Sequence, residues 1–372
     1  MNRIRYYFPI LLIICISFLV YLNALSDGFV WDDMVLIADN EGIKKWDSFL
    51  ENFVRDFFDT TDDTIEFKYG YYRPIISLSY MIDYALWGLE PWGFHLSNII
   101  FHTMSCILVY LIFNSLFNNR SLSIITSLLF ACHPIHTESV TWISGRTDII
   151  AGMFFFAAFY LYQKAIHLPL SSEGNGSLRN RKRVKLFPTR SKIFYACSII
   201  LFALAMLCKE MVATLPFLII AYTHYFVGLK NWRQWKTSLP LSIPYFFVII
   251  LYGIIRFVIL GIHTVDNPGG EEMKGFYPTT LSFAKTIFIY LFKLIYPVHL
   301  SAYIQNPMSF SLSEPAAILS VFGVAVLIFL LVWLKKRWAG MSFLILFYLV
   351  TLLPLSNFIR ISAPWDMGFV TA

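Results

Sequence analysis

The chain has 372 residues, 58% hydrophobic and only 14% charged, with a mean hydropathy of +0.63. Soluble globular chains carry about 25% charged and about 45–50% apolar residues, so a water-soluble fold is excluded. The net charge of +6 is uneven: residues 27–73 hold twelve Asp/Glu and five Lys/Arg, a local −7, which leaves +13 for the rest of the chain.

In chain order, Arg3 and Arg5 precede an uncharged stretch over 6–26, long enough to cross a bilayer and read as a retained signal anchor. Further apolar runs at 93–117, 121–132, 149–167, 193–208, 211–228, 239–262, 316–334 and 338–356 bring the expected spans to roughly nine. The expected fold is therefore all-α, a polytopic membrane helix bundle. If spans alternate, the N-terminus, Arg120, the basic loop 164–192, residues 230–236 and Lys335-Lys336-Arg337 share one face. Positive charge makes that face cytoplasmic. Residues 280–296 look like one more span but carry Lys285 and Lys293, and counting them would place Lys335, Lys336 and Arg337 outside. Region 263–315 is accordingly read as external, with a helix lying along the interface or re-entering. The acidic loop 27–92 is external too. The sequons at Asn119 and Asn175 fall on loops assigned to the cytoplasm and are expected to stay unglycosylated. Residues 171–177 read as a flexible linker. Cys15, Cys106, Cys132, Cys197 and Cys208 form no CxxC pair and read as membrane-core residues. No basic-aromatic motif points to nucleic acid.

Chemistry-bearing residues gather on the external side. Asp32 and Asp33 follow the first span, and adjacent carboxylates in a low-dielectric mouth give one of them a raised pKa suited to a general base. The rival reading is a solvated acidic loop. His133, His136 and Glu138, then Arg146 and Asp148, lie between two spans on the same side. Zinc is a rival there, but Pro134 between the two His breaks a continuous helical face, so a divalent metal is not favoured and no cofactor is required. Lys209 and Glu210 sit at a span boundary. Arg73 closes the acidic loop with a planar fork suited to phosphate. Asp83, His95, His102, His224 and Arg256 read equally well as satisfied polar groups in a bundle. Carboxylates facing cationic groups at a membrane surface suit removal of a hydroxyl proton as a lipid-borne phosphate departs.

The strings FVWDD, YYRPIISLSYMIDYALWGLEPWGFHLSNIIFH, ACHPIHTESVTWISGRTDIIAGMFFFAAFYLY and LAMLCKEMVATLPF resemble the membrane half of the transmembrane and tetratricopeptide-repeat O-mannosyltransferases and their prokaryotic relatives, within the GT-C glycosyltransferase superfamily. The resemblance implies a GT-C-like domain over 1–372 and inverting transfer of a sugar, mannose in the best-known members. The donor would be a polyprenyl or dolichyl phosphate and the acceptor a Ser/Thr hydroxyl on the luminal or periplasmic side. Asp32 and Asp33 map onto the family's acidic motif, one of them as base, with Asp33 narrowly preferred. Arg73, His133, His136, Glu138, Arg146, Asp148, Lys209 and Glu210 occupy the other motif positions, as donor-phosphate or pocket residues. The membrane would be that of the endoplasmic reticulum in a eukaryote or the cytoplasmic membrane in a prokaryote. Neither an R-x-x-Y-L-P stretch nor a 34-residue repeat is found, so the C-terminal repeat half is expected to be absent from this sequence, either because it is a fragment or because this version lacks that half. Alternatives are a GT-C transferase with a lipid or glycan acceptor, and a polytopic transporter.

Overall fold

A computed structural model describes residues 2–59, 70–171, 189–226, 239–263, 275–301 and 309–356. Asn175, the basic run 179–185, residues 230–236 and part of the external region 263–315 lie outside the described residues. Among the described residues the secondary structure is helical throughout, without strands. The longer helices are α1 (Asn2–Tyr21), α2 (Pro74–Trp87), α3 (Pro91–Phe117), α4 (Arg120–Cys132), α5 (Arg146–Ser171), α6 (Thr189–Met206), α7 (Leu215–Phe226), α8 (Ile243–Gly253), α9 (Phe276–Ile295), α10 (Pro315–Arg337) and α11 (Ala339–Thr351).

Local chemistry explains the boundaries. Pro opens α2, α3 and α10 at the first turn, where its missing N–H costs nothing. Asn118 ends α3 in the left-handed region (φ 48°), and the Asn119 side chain then caps α4 by accepting from the Leu122 N–H at 3.0 Å. Lys335, Lys336 and Arg337 fill the last turn of α10, where cations complement the helix dipole.

Each of the nine apolar runs contains a helix, but among the described residues five helical segments are long and apolar enough to cross a bilayer: Tyr7–Ser26, Pro91–Phe117, Ile143–Ile166, Leu239–Ile259 and Pro315–Arg337. α4 and α11 have 13 residues each. At 1.5 Å per residue they reach about 20 Å against a hydrocarbon core of about 30 Å. The run at 211–228 opens with the tight turn Glu210–Thr214, leaving only twelve residues to α7. The chain is thus a multi-pass helical membrane protein, with large apolar residues such as Leu319, Phe322 and Phe329 exposed on α10.

The core lies between α5, α6, α7, α8 and α11, where Phe159, Tyr162, Phe202, Tyr222, Tyr245 and Phe343 are buried together. Their polar tips are satisfied inside the bundle, Tyr162 with Thr223 (2.8 Å) and Tyr245 with Ser198 (2.7 Å). α9 is tied at its start to the loop before α10 and at its end to the motif loop carrying His133. The Tyr277 hydroxyl accepts from the Leu312 N–H (3.2 Å), and the Leu294 carbonyl accepts from His133 (3.0 Å).

Candidate active site

The motif residues come from separate stretches of sequence and meet at one end of the bundle. Residues 30–33 form a tight turn in which the Asp33 N–H donates to the Val30 carbonyl (3.0 Å) and the Val30 N–H to Asp33 Oδ2 (3.1 Å). Trp31, inside that turn, has φ 50°, a left-handed backbone that bulky residues rarely adopt. Asp33 is 0% exposed, and its Oδ1 accepts from both the Ser144 N–H (2.8 Å) and the Ser144 hydroxyl (2.5 Å). Burial raises its pKa, and the hydrogen bonds from Ser144 and Val30 work against that rise. Asp33 therefore rivets the first loop to the turn before α5.

Asp32 differs. It is half-buried, and its carboxylate has no hydrogen-bond partner among the described residues. Desolvation and the neighbouring Asp33 charge raise its pKa, while Arg73 opposes the rise. A π-helical turn, Met34–Ala38, follows directly, a distortion common at functional sites.

Arg73 and Arg146 occupy opposite situations. The Arg73 guanidinium lies 4.4 Å from the centre of the Tyr71 ring and 5.6 Å from that of Phe57, with Nε buried and unpartnered. Arg146 is 0% exposed and fully engaged. It pairs with Asp83 (2.6 Å), donates to Asn98 Oδ1 (2.9 Å), Ser79 Oγ (3.2 Å) and the Phe94 carbonyl (2.9 Å), and lies against Tyr80. Asn98 also donates to the carbonyls of Val140, Trp142 and Ile143 (3.2–3.3 Å), clamping the turn that carries Ser144. The contacts of Arg146 thus run to other buried groups of the bundle.

His133 and His136 are likewise held by groups of the bundle. His133 Nδ1 accepts from the Ile135 N–H (3.2 Å), which leaves Nε2–H to donate to Leu294 on α9. His136 packs on Phe130 (4.4 Å between ring centres) and His102 (5.4 Å), and burial lowers its pKa to about 3, so it is neutral near pH 7. Lys209 pairs with Asp148 at 2.5 Å. Glu138 is close to that pair; desolvation and Asp148 raise its pKa, and Lys209 lowers it. Glu210 faces Arg256 at 4.0 Å, and Arg256 in turn holds the Gly70 carbonyl (2.5 Å) at the head of the segment leading to Arg73. Among the described residues no group of three or more His, Cys, Asp or Glu side chains is placed to hold a metal ion.

Sequence reasoning left Asp83 and Arg256 ambiguous and did not single out Asn98 or Ser144. Asn98 follows His95 at i+3 on α3, and Ser144 precedes the Gly145-Arg146 pair; these spacings were the available signals. Asp56 was also missed. It closes the acidic loop by accepting from the Phe58 (3.0 Å) and Gly70 (2.6 Å) N–H groups.

What the fold and site define is a multi-pass helical membrane protein in which, among the described residues, the Asp32 carboxylate has no hydrogen-bond partner and the Arg73 guanidinium no carboxylate within 4.0 Å, both at one end of the bundle. The chain is similar to protein O-mannosyl-transferases, as its motifs indicate. It is 35% identical to Protein O-mannosyl-transferase TMTC3 of Homo sapiens over 203 residues, which is 54% of this chain and 20% of that protein. It is 33% identical to TMTC1 of Homo sapiens over 232 residues (60% and 24%) and 36% identical to tmtc2 of Xenopus laevis over 149 residues (40% and 18%). The chain thus spans roughly a fifth of the length of the curated relatives it matches. No protein-family model matches it, and no solved structure matches it.

Proposed function

We propose that the chain is a glycosyltransferase of GT-C type that moves a sugar, mannose by analogy with the relatives, from a polyprenyl or dolichyl phosphate to a Ser/Thr hydroxyl of a protein, with inversion. The observation that carries this reading is that Asp32, the carboxylate of the acidic motif left without a hydrogen-bond partner among the described residues, lies within electrostatic reach of Arg73, whose charge opposes the rise of its pKa. Among the described residues Arg146, Lys209 and Arg256 each lie within 4.0 Å of a carboxylate, whereas Arg73 has no such partner. Arg73, the one motif cation without a carboxylate within 4.0 Å among the described residues, suits the single negative charge of a phosphodiester donor and would leave a diphosphate half-neutralised.

In this mechanism Asp32 takes the acceptor proton as the hydroxyl oxygen bonds to the anomeric carbon. The carbon–oxygen bond to phosphate breaks on the opposite face, and Arg73 stabilises the charge on the departing polyprenyl phosphate. Asp33 is assigned the positioning task, because its oxygens are already committed to Ser144 and Val30. Contacts at both ends of α9 support reading that helix as part of an external layer over the site, with the N-terminus of the chain cytoplasmic.

The test is transfer by the purified, reconstituted chain from a panel of labelled polyprenyl-phosphate sugars to Ser/Thr-containing peptides, with and without chelator. Labelled peptide, insensitive to chelator, is the expected outcome. Label appearing only in lipid or glycan, or donor-dependent flux without transfer, would overturn the assignment.

A further inference from the structure

Trp31 combines two features that rarely coincide. Its backbone is left-handed, and its indole is 68% exposed, so the strain is not repaid by burial of the ring. The ring stands edge-on to Trp142, 5.8 Å between centres and 80° between planes. The Trp142 indole N–H is itself buried without a partner. Asp33 and Asn98, by clamping the 140–144 turn, fix Trp142 and hence this pairing. Val30 and Met34, on either side in sequence, are also exposed, giving an apolar lip around Asp32.

Building on the proposed glycosyltransferase reading, we propose that Trp31 and Trp142 form the acceptor-binding platform, gripping the polypeptide that flanks the reacting Ser or Thr. Asp32 has to touch the acceptor hydroxyl, so the ring next to it in sequence lies where the acceptor chain arrives. Arg73, with Tyr71 and Phe57, holds the donor side. Aromatic faces also stack on sugar rings, so the assignment to the acceptor rests on the place beside Asp32 and on the exposed apolar Val30 and Met34, which offer the hydroxyls of a sugar no polar partner. Exposed tryptophans also anchor proteins at bilayer interfaces, but an anchor has no need of a strained backbone or a fixed edge contact.

The experiment compares the wild-type chain with Trp31→Ala, Trp31→Phe and Trp31→Gly in nanodiscs. It measures equilibrium binding of labelled Ser/Thr-rich peptides, binding of the polyprenyl-phosphate sugar, sugar transfer to the peptides, and melting temperature. Trp31→Ala should weaken peptide binding roughly three- to tenfold, the range of an aromatic contact, and leave donor binding unchanged. Trp31→Phe should keep most of the affinity. Trp31→Gly should lose peptide binding while melting no lower than wild type, because glycine accepts the left-handed backbone. Unchanged peptide binding, an effect on donor binding alone, or a deficit seen in bilayers and absent in detergent would overturn the proposal. Normal transfer with no dependence on Trp31 would overturn it and spare the glycosyltransferase reading. Absence of transfer from every donor, with peptide binding intact, would fall on that reading alone.

Discussion

Arg73 and Arg146 carry the same guanidinium, and their surroundings separate their tasks. Arg146 is buried among Asp83, Asn98, Ser79 and Phe94. Replacing it by Ala strands the Asp83 charge and should cost about 3–5 kcal/mol of stability, read as a fall in the melting temperature of the purified protein. Arg73→Ala removes no ion pair among the described residues. It should fold normally and weaken donor binding, measured by titration with labelled polyprenyl-phosphate sugar; unchanged donor affinity would contradict the assignment. Asp32 and Asp33 are likewise equivalent on paper. Their division of labour comes from the left-handed turn at Trp31 and from Ser144, 111 positions from Asp33 in the chain, and neither is visible in the string FVWDD. The raised Asp32 pKa sets a pH dependence. The ionised form is the base, so activity should be present above that pKa and fall as pH drops through it. The acid limb of kcat/KM should lie above the ordinary aspartate value of about 4. A limb at or below that value would contradict the assignment.

The elements around these residues form a brace whose weakest tolerance is at Gly145. A Cβ there would come within 2.9 Å of the Ser139 Cα and 3.0 Å of the Glu138 carbonyl, both backbone atoms. Gly145→Ala should therefore push the 137–141 turn away from α5 and destabilise by about 1–3 kcal/mol, with a parallel loss of transfer. Thermal unfolding and activity measured together would show it, and a neutral variant would mean that the turn can shift freely. The positions of helices were legible in the sequence because apolar runs are parted by short polar stretches, as around Arg120 between the runs at 93–117 and 121–132. Their lengths were less so. The run at 211–228 hides a tight turn under uniformly apolar residues, and the 13-residue α4 and α11 fall short of a bilayer although their composition matches one. Hydropathy reports which residues leave water, not where a helix bends or stops.

Across the whole molecule, the uneven charge acquires a spatial meaning. The acidic loop begins at the end of α1 and is fastened to the motif end of the bundle through Asp33–Ser144 and Arg256–Gly70. The basic triplet Lys335-Lys336-Arg337 closes α10, and Lys335 lies near Tyr225 in the last turns of α7, far along the chain from the motif loops. If this polarity is also the membrane polarity, cysteines placed at exposed Asp39 and Lys336 should react with an impermeant thiol reagent from opposite sides of sealed vesicles, Asp39 from the external side. Labelling of both from one side would break the topology. The clustering of motifs was legible as a one-sided pattern. Which members remain free for substrate was not, because that depends on pairings such as Arg146–Asp83 and Lys209–Asp148 between residues 63 and 61 positions apart. The most direct measurement of the central claim is the single-turnover rate of sugar transfer by Asp32→Asn against wild type, at saturating labelled donor and matched melting temperature. Loss of the carboxylate base should slow transfer by about 10²–10⁴-fold. A folded Asp32→Asn protein that transfers sugar at the wild-type rate would contradict the account.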